Sequence, residues 1–326
     1  MRFFLIAISV ICFQAYGQLL TLCSSYRCDS LAVQAILDTN EVYGETVENV
    51  VSVEYGRVYK LRCNNLKLKK LPSDIRHLTA LKILHLENNL LKELPPEIGK
   101  ISGLEEIWVK GNLLTGLPPE IGLLTSLFKL DASRNQIFSL PPEIGNLKSL
   151  EELNLSINEL ASLPKEIGKL TTLFRLHLEK NLLTRLPASI GRLTLVEELN
   201  LSNNKLSRLP AEIGRMESLG RLNLAGNELP LLPDQMGRLG SLFKLSLDGN
   251  MFVELSPMIG DLISLESLNL ANNQLKTLPV AIENLTSLYE LNVSNNLLHA
   301  IPAEIKAMKN IRSLDVSGNP IPEEAD

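Results

Sequence analysis

Residues 150–172 read LEELNLSINELASLPKEIGKLTT, and residues 173–195 read LFRLHLEKNLLTRLPASIGRLTL. Laid over each other, the two stretches keep leucine, asparagine, proline, isoleucine and glycine at the same places. Working outward from this pair, the same 23-residue unit continues without insertion or deletion over residues 58–310, eleven units in all, and a partial twelfth runs over residues 311–326. A fixed period of this length makes each unit one turn of a solenoid, stacked on its neighbours to bury a continuous core.

Each segment of the unit has a local physical meaning. In Leu153-Asn154-Leu155 the apolar residues alternate, as in a short strand with leucines pointing inward. The asparagine that follows, Asn158 here, recurs as Asn89, Asn112, Asn135, Asn181, Asn204, Asn227, Asn250, Asn273, Asn296 and Asn319. A buried amide after a tight turn can satisfy backbone groups that the coil leaves unpaired. These asparagines read as structure rather than chemistry. The second half, Leu-Pro-x-x-Ile-Gly-x-Leu, spaces Ile167 and Leu170 by three, as in a short helical turn. Proline at its start gives up an amide with no partner there. The glycine allows either a left-handed or a close-packed backbone, and Arg76, Glu283 and Lys306 replace it near the ends.

The L-x-x-L-x-L-x-x-N-x-L-x-x-L-P-x-x-I-G pattern resembles the leucine-rich-repeat family. The resemblance implies an α/β solenoid, a horseshoe with a parallel sheet on the concave face and short helical or 3-10 turns on the convex face. It also implies a binding module.

The ends differ from the repeats. Residues 1–17 carry Arg2, an apolar run and the small pair Ala15 and Gly17 before Gln18, the pattern of a cleaved secretory leader. The expected location is therefore secreted, either periplasmic or extracellular. Removing the leader leaves 31 basic against 37 acidic residues. A mildly acidic chain without a basic block does not suit nucleic acid, and no other apolar run is long enough to cross a membrane. Residues 18–57 form the expected N-terminal cap: a helix over Leu31 to Leu37 capped by Asp29 or Ser30, then a strand over Val50 to Glu54 and a turn at Tyr55-Gly56. Cys23 and Cys28 are close enough for a disulfide, whereas Cys63 occupies an inward leucine place and reads as a small buried residue. Pro320 and the acids after it make a thinner cap at the other end.

Successive parallel strands turn each position of the unit into a row across the concave face. Counting the first leucine of a unit as zero, position 2 alternates in sign through Glu106, Lys129, Glu152, Arg175, Glu198 and Arg221, so that each acid can lie between two bases. Position 4 carries His85, Trp108, Asp131 and His177 in the first half but mainly asparagine and serine in the second. Trp108 is the chain's single tryptophan. An outward tryptophan among polar groups has the character of an interface hot spot. The expected ligand-binding set is therefore His85, Trp108, Lys110, Phe128, Lys129, Asp131, Arg134, Glu106, Glu152, Arg175 and His177. His85 and His177 are four strands apart, roughly 19 Å, too far to share a metal ion.

Asn-x-Ser/Thr tripeptides at Asn154, Asn200, Asn292 and Asn284 arise largely from the repeat itself. The acid pairs Glu105-Glu106 and Glu151-Glu152 also belong to the rows, with no enclosed pocket to tune them. No enzyme and no cofactor is expected. A protein or peptide partner on the concave face is the leading reading, with a monomeric state favoured. A structural or adhesive role, a glycan ligand, or oligomers formed at the thin end are the alternatives.

Overall fold

A computed structural model describes residues 25–322 of the chain. The expected leader, Cys23 and residues 323–326 lie outside the described residues. Cys28 is held in a disulfide, and its expected partner Cys23 is among those residues.

Among the described residues the alternating leucines become one sheet of thirteen strands in sequence order. β1 (Val51–Glu54) pairs antiparallel with β2 (Arg57–Arg62). Tyr55 and Gly56, both at positive φ (48° and 71°), make the turn between them. From β2 onward every pair is parallel and in strict register. The next strands are β3 (Ile83–His85), β4 (Glu106–Trp108), β5 (Lys129–Asp131), β6 (Glu152–Asn154) and β7 (Arg175–His177). They are followed by β8 (Glu198–Asn200), β9 (Arg221–Asn223), β10 (Lys244–Ser246), β11 (Ser267–Asn269), β12 (Glu290–Asn292) and β13 (Ser313–Asp315). Three residues per strand suffice because the rest of each coil turns away to close the loop.

Beneath the sheet, the inward leucines and the isoleucine of each turn are fully buried, as Leu153, Leu155, Leu160, Ile167 and Leu170 show. Full burial of each such side chain is worth about 1.5–3 kcal/mol. The repeated asparagines stitch coil to coil. Asn158 Nδ2 donates to Ala132 O and Leu155 O, both at 3.0 Å, and Asn158 Oδ1 accepts from Ile137 N at 2.9 Å. It thereby pairs backbone groups that no strand reaches.

Among the described residues the convex side consists of ten 3-10 turns of five residues, from Ser73–His77 to Val280–Asn284, followed by an α-helical turn at Ala303–Lys306. Of the two roles open to the glycine, close packing is the one it plays. A Cβ on Gly191 would lie 2.1 Å from Glu212 O of the next coil, and one on Gly168 would lie 2.3 Å from Ser189 O. Neither glycine is among those with positive φ.

In the N-terminal cap the strand and turn are as expected, but the helix departs from its expected form. This helix, α1, spans Tyr26–Thr39 and starts after Ser25, so it is twice the length of the apolar run. Asp29 lies inside the first turn and does not cap it. Buried, it accepts from Arg57 Nε (2.9 Å), Arg57 Nη2 (3.0 Å) and Val58 N (2.8 Å). The bond to Asp29 outweighs burial and raises the Arg57 pKa, so the helix is locked to β2 by a charged pair. Asn40 binds the other side of the cap to the first coil, accepting from Lys69 N and Lys70 N and donating to Lys70 O. At the far end the inward Leu314 is 38% exposed.

Candidate binding face

The register of β3 to β7 brings Ile83, Glu106, Lys129, Glu152 and Arg175 into one row. It brings His85, Trp108, Asp131, Asn154 and His177 into another. Six of the expected residues form a continuous chain of contacts. The His85 and Trp108 rings are stacked, 5.6 Å between centroids and 10° between planes. The Lys129 ammonium lies 4.7 Å from the Trp108 centroid. Because His85 comes from the strand before Trp108 and Lys129 from the strand after, opposite faces of the indole are covered. Trp108 Nε1 donates to Glu106 Oε2 at 2.9 Å. Trp108 thus faces outward from the sheet but is half-buried, with its polar atom satisfied. Its free edge is what a ligand would meet.

The charge row continues this chain. Glu152 pairs with both Lys129 and Arg175. Burial pushes the Glu152 carboxyl up, but hydrogen bonds and charge from Lys129 and Arg175 together outweigh it and hold its pKa below the ordinary value. The register places Glu152 between Lys129 and Arg175 and Glu198 between Arg175 and Arg221, but only Glu152 is paired on both sides. Glu106 Oε2 accepts from Trp108 Nε1, and Glu198 Oε2 lies 3.9 Å from Arg221 Nη1.

His85 Nδ1 is 3.0 Å from Glu87 Oε1, with both side chains 19% exposed, and the second Glu87 oxygen is buried without a hydrogen-bond partner. Glu87 is a residue of this cluster that sequence reasoning missed. Its spacing of two from His85 on an outward face was the available signal.

The other expected residues stand apart. Asp131 is buried, and its Oδ1 accepts from Ser133 N at 2.9 Å. It closes a turn in place of flanking Trp108 as an open charge. Asn154, Asn200, Asn223, Asn269 and Asn292 make the same bond to the backbone two residues on. Position 4 therefore has a structural task, and Arg62, His85, Trp108, His177 and Ser246 are the places where it is given up. In the Asn154, Asn200 and Asn292 sequons the amide oxygen also holds the serine hydroxyl. Asn284, by contrast, is exposed at the end of its 3-10 turn. Arg134 is exposed on the turn after β5, Lys110 and Phe128 are half-buried, and His177 lies between Asn154 and Asn200.

The second half of the concave face is less featureless than its composition suggests. Glu198, Asn200, Arg221, Asn223, Lys244 and Ser246 line a depression of about 200 Å³ across β8 to β10. Beside it the Arg221 guanidinium lies 5.0 Å from the Phe243 ring, which covers Gly220. Among the described residues no three His, Cys, Asp or Glu side chains gather as metal ligands, and no helix is long and apolar enough to cross a membrane.

A family pattern described as leucine-rich repeat region matches residues 130–204, and one described as leucine rich repeat matches residues 194–252 and 263–321. Among solved structures, a leucine-rich-repeat protein of Leptospira interrogans is 35% identical, with 81% of this chain and 79% of that one covered and a TM-score of 0.60. The plant peptide hormone receptor RGFR1, in complex with RGF2, is 27% identical, with coverage of 76% and 46% and a TM-score of 0.60. The Arabidopsis receptor kinase HAESA, in complex with the peptide hormone IDA and the co-receptor SERK1, is 25% identical, with coverage of 94% and 57% and a TM-score of 0.66. The chain thus spans about half the length of these two plant receptor chains. No curated protein matches it by sequence.

Proposed function

The chain belongs to the leucine-rich-repeat family, and from that premise we propose that it is a non-catalytic scaffold binding a protein or peptide across its concave sheet, outside the cytosol. The observation that carries this reading is the His85–Trp108–Lys129 stack. Its two rings occupy the position where the following coils spend an aspartate or asparagine on closing their own turns. His85 and Trp108 forgo that bond, so the fold does not ask for them. What they supply is an aromatic edge held rigid between a ring and a cation, with charged groups on either side, the composition of an interface anchor.

The two plant receptors, whose structures hold peptide hormones, make a peptide or protein the favoured ligand. A sugar would stack on a ring face, and both faces of Trp108 are taken. The leader pattern in residues 1–17 supports action outside the cytosol.

Affinity capture from the native extracellular fraction tests the proposal, with wild type and Trp108→Asn as baits. Asparagine already serves at this position in other coils, so the variant keeps the fold. At least one partner is expected to be held by wild type and lost with the variant. Equal recovery of every partner by both baits would falsify the role given to Trp108.

A further inference from the structure

Away from the sheet, the Leu-Pro segments that lead into the 3-10 turns stack side by side and leave shallow depressions between coils. We propose that one of them is a second binding site, for a short polyanionic oligosaccharide. Lys165, Arg185 and Arg208 rim a depression of about 580 Å³, which Leu186, Pro187 and Pro210 help to floor. That size falls within the range of small-ligand clefts, about 300–1,000 Å³.

No acidic residue lines this depression. Among the described residues, none of the three cations has a carboxylate within the 4.0 Å of a salt bridge. In the charge row of the sheet, by contrast, Lys129, Arg175 and Arg221 are each paired with an acid, although among the described residues Lys60 and Lys244 are not. Unpaired guanidinium groups match the oxygens of sulfate or phosphate esters through two parallel hydrogen bonds.

The same kind of depression recurs elsewhere with the opposite charge. Asp234 and Glu254 line the one farther along the solenoid, and Asp74, Glu93 and Glu97 outnumber Lys70 in the one nearer the cap. The cationic stretch is therefore bounded, and a long polyanion would run into acidic neighbours. The fold does not demand these cations either. The place of Lys165 is held by Ala188 and Ala211 in the next two coils, and that of Arg185 and Arg208 by Ser139 and Ser162 in the preceding two. A sugar is favoured over an acidic peptide because the prolines of the floor have no N–H to offer a peptide backbone. Apolar CH surface rimmed by charge suits a sulfated or phosphorylated ring.

The test is calorimetric titration of the full chain with a fully sulfated tetrasaccharide, its uncharged parent and a hexaglutamate peptide. Wild type should bind the sulfated probe, more weakly as salt rises. The triple variant Lys165→Ala, Arg185→Ser, Arg208→Ser should melt as wild type does and lose at least about tenfold in affinity, as expected when charge-assisted contacts are removed. Trp108→Asn should bind the probe unchanged, which separates this site from the concave one. The proposal is overturned by unaltered affinity in the triple variant, by equal binding of the uncharged sugar, or by no binding to wild type. Tighter binding of hexaglutamate would replace the sugar with an acidic peptide.

Discussion

Strands β3 and β4 share their backbone register and a buried aliphatic residue with β8, β9, β11 and β12, yet use their central outward residue differently. In the latter group Asn200, Asn223, Asn269 and Asn292 bind the backbone of their own turns. In the former, His85 and Trp108 stack on each other and bring in Lys129 and Glu106. In a repeat protein the recurring residue shows what each coil needs, and a departure inside an otherwise regular coil marks what the coil does not need. The departures at His85 and Trp108 are for that reason the place to look for a partner.

Variants that break the recurring residues should unfold the scaffold, while variants at the departures should not. The largest loss is expected for Asn204→Ala. Asn204 Nδ2 donates to Leu178 O and Leu201 O, both at 3.0 Å, and its Oδ1 accepts from Leu183 N at 3.0 Å. Leaving these buried groups unpaired should cost about 2–4 kcal/mol in chemical denaturation. A loss of a few tenths would mean that the coils do not depend on the ladder. Gly191→Ala comes next, at about 1–3 kcal/mol, because its methyl would meet Glu212 O at 2.1 Å and push the coils apart. An unchanged melting curve would contradict the close packing.

Glu152→Gln should be milder, with less than about 1 kcal/mol lost at neutral pH, since the ion pairs are partly exposed. The Glu152 pKa is depressed in the fold, so its contribution is present above the ordinary glutamate pKa and fades as pH falls through the lower folded value. The gap between variant and wild type should accordingly close on acidification; a gap of constant size would rule out the pairing. Cys63 should show the least response. Burial, with the charge of Glu45, pushes its thiol up to about 12, so iodoacetamide at pH 8 should leave it intact until the chain is denatured. Rapid labelling of the native protein would place it outside the core.

Much of the fold was legible in the sequence because each repeated residue acts on the adjacent coil and the period supplies the adjacency. The leucine columns, the asparagine ladder and the proline-led turns follow directly. The helical cap was harder to read. Asp29 has the composition of a helix cap, but its partners, Arg57 and Val58, are 28 and 29 residues away, and no local propensity reveals them. On the concave face the rows placed His85, Trp108, Lys129 and Glu152 together. They did not show that Asp131 would turn inward to its own backbone, although Ser133 two residues later repeats the Asn-x-Ser spacing of other coils. The bond from Trp108 to Glu106 also escaped, because Glu106 reads as one member of a charge row and side-chain choice within a row depends on packing. The cationic depression at Lys165, Arg185 and Arg208 needs the same counting applied at positions 12 and 15, off the sheet.

Trp108 is the only tryptophan in the chain and reports directly on its own surroundings. The most direct test of the concave site is therefore its fluorescence emission during titration with a captured partner, with binding followed in parallel by calorimetry. Contact at the indole edge predicts a change in emission that saturates at the same ratio as the heat, and a loss of both signals in Trp108→Asn. Heat of binding with unaltered emission in wild type, and undiminished heat in the variant, would place the partner elsewhere on the molecule.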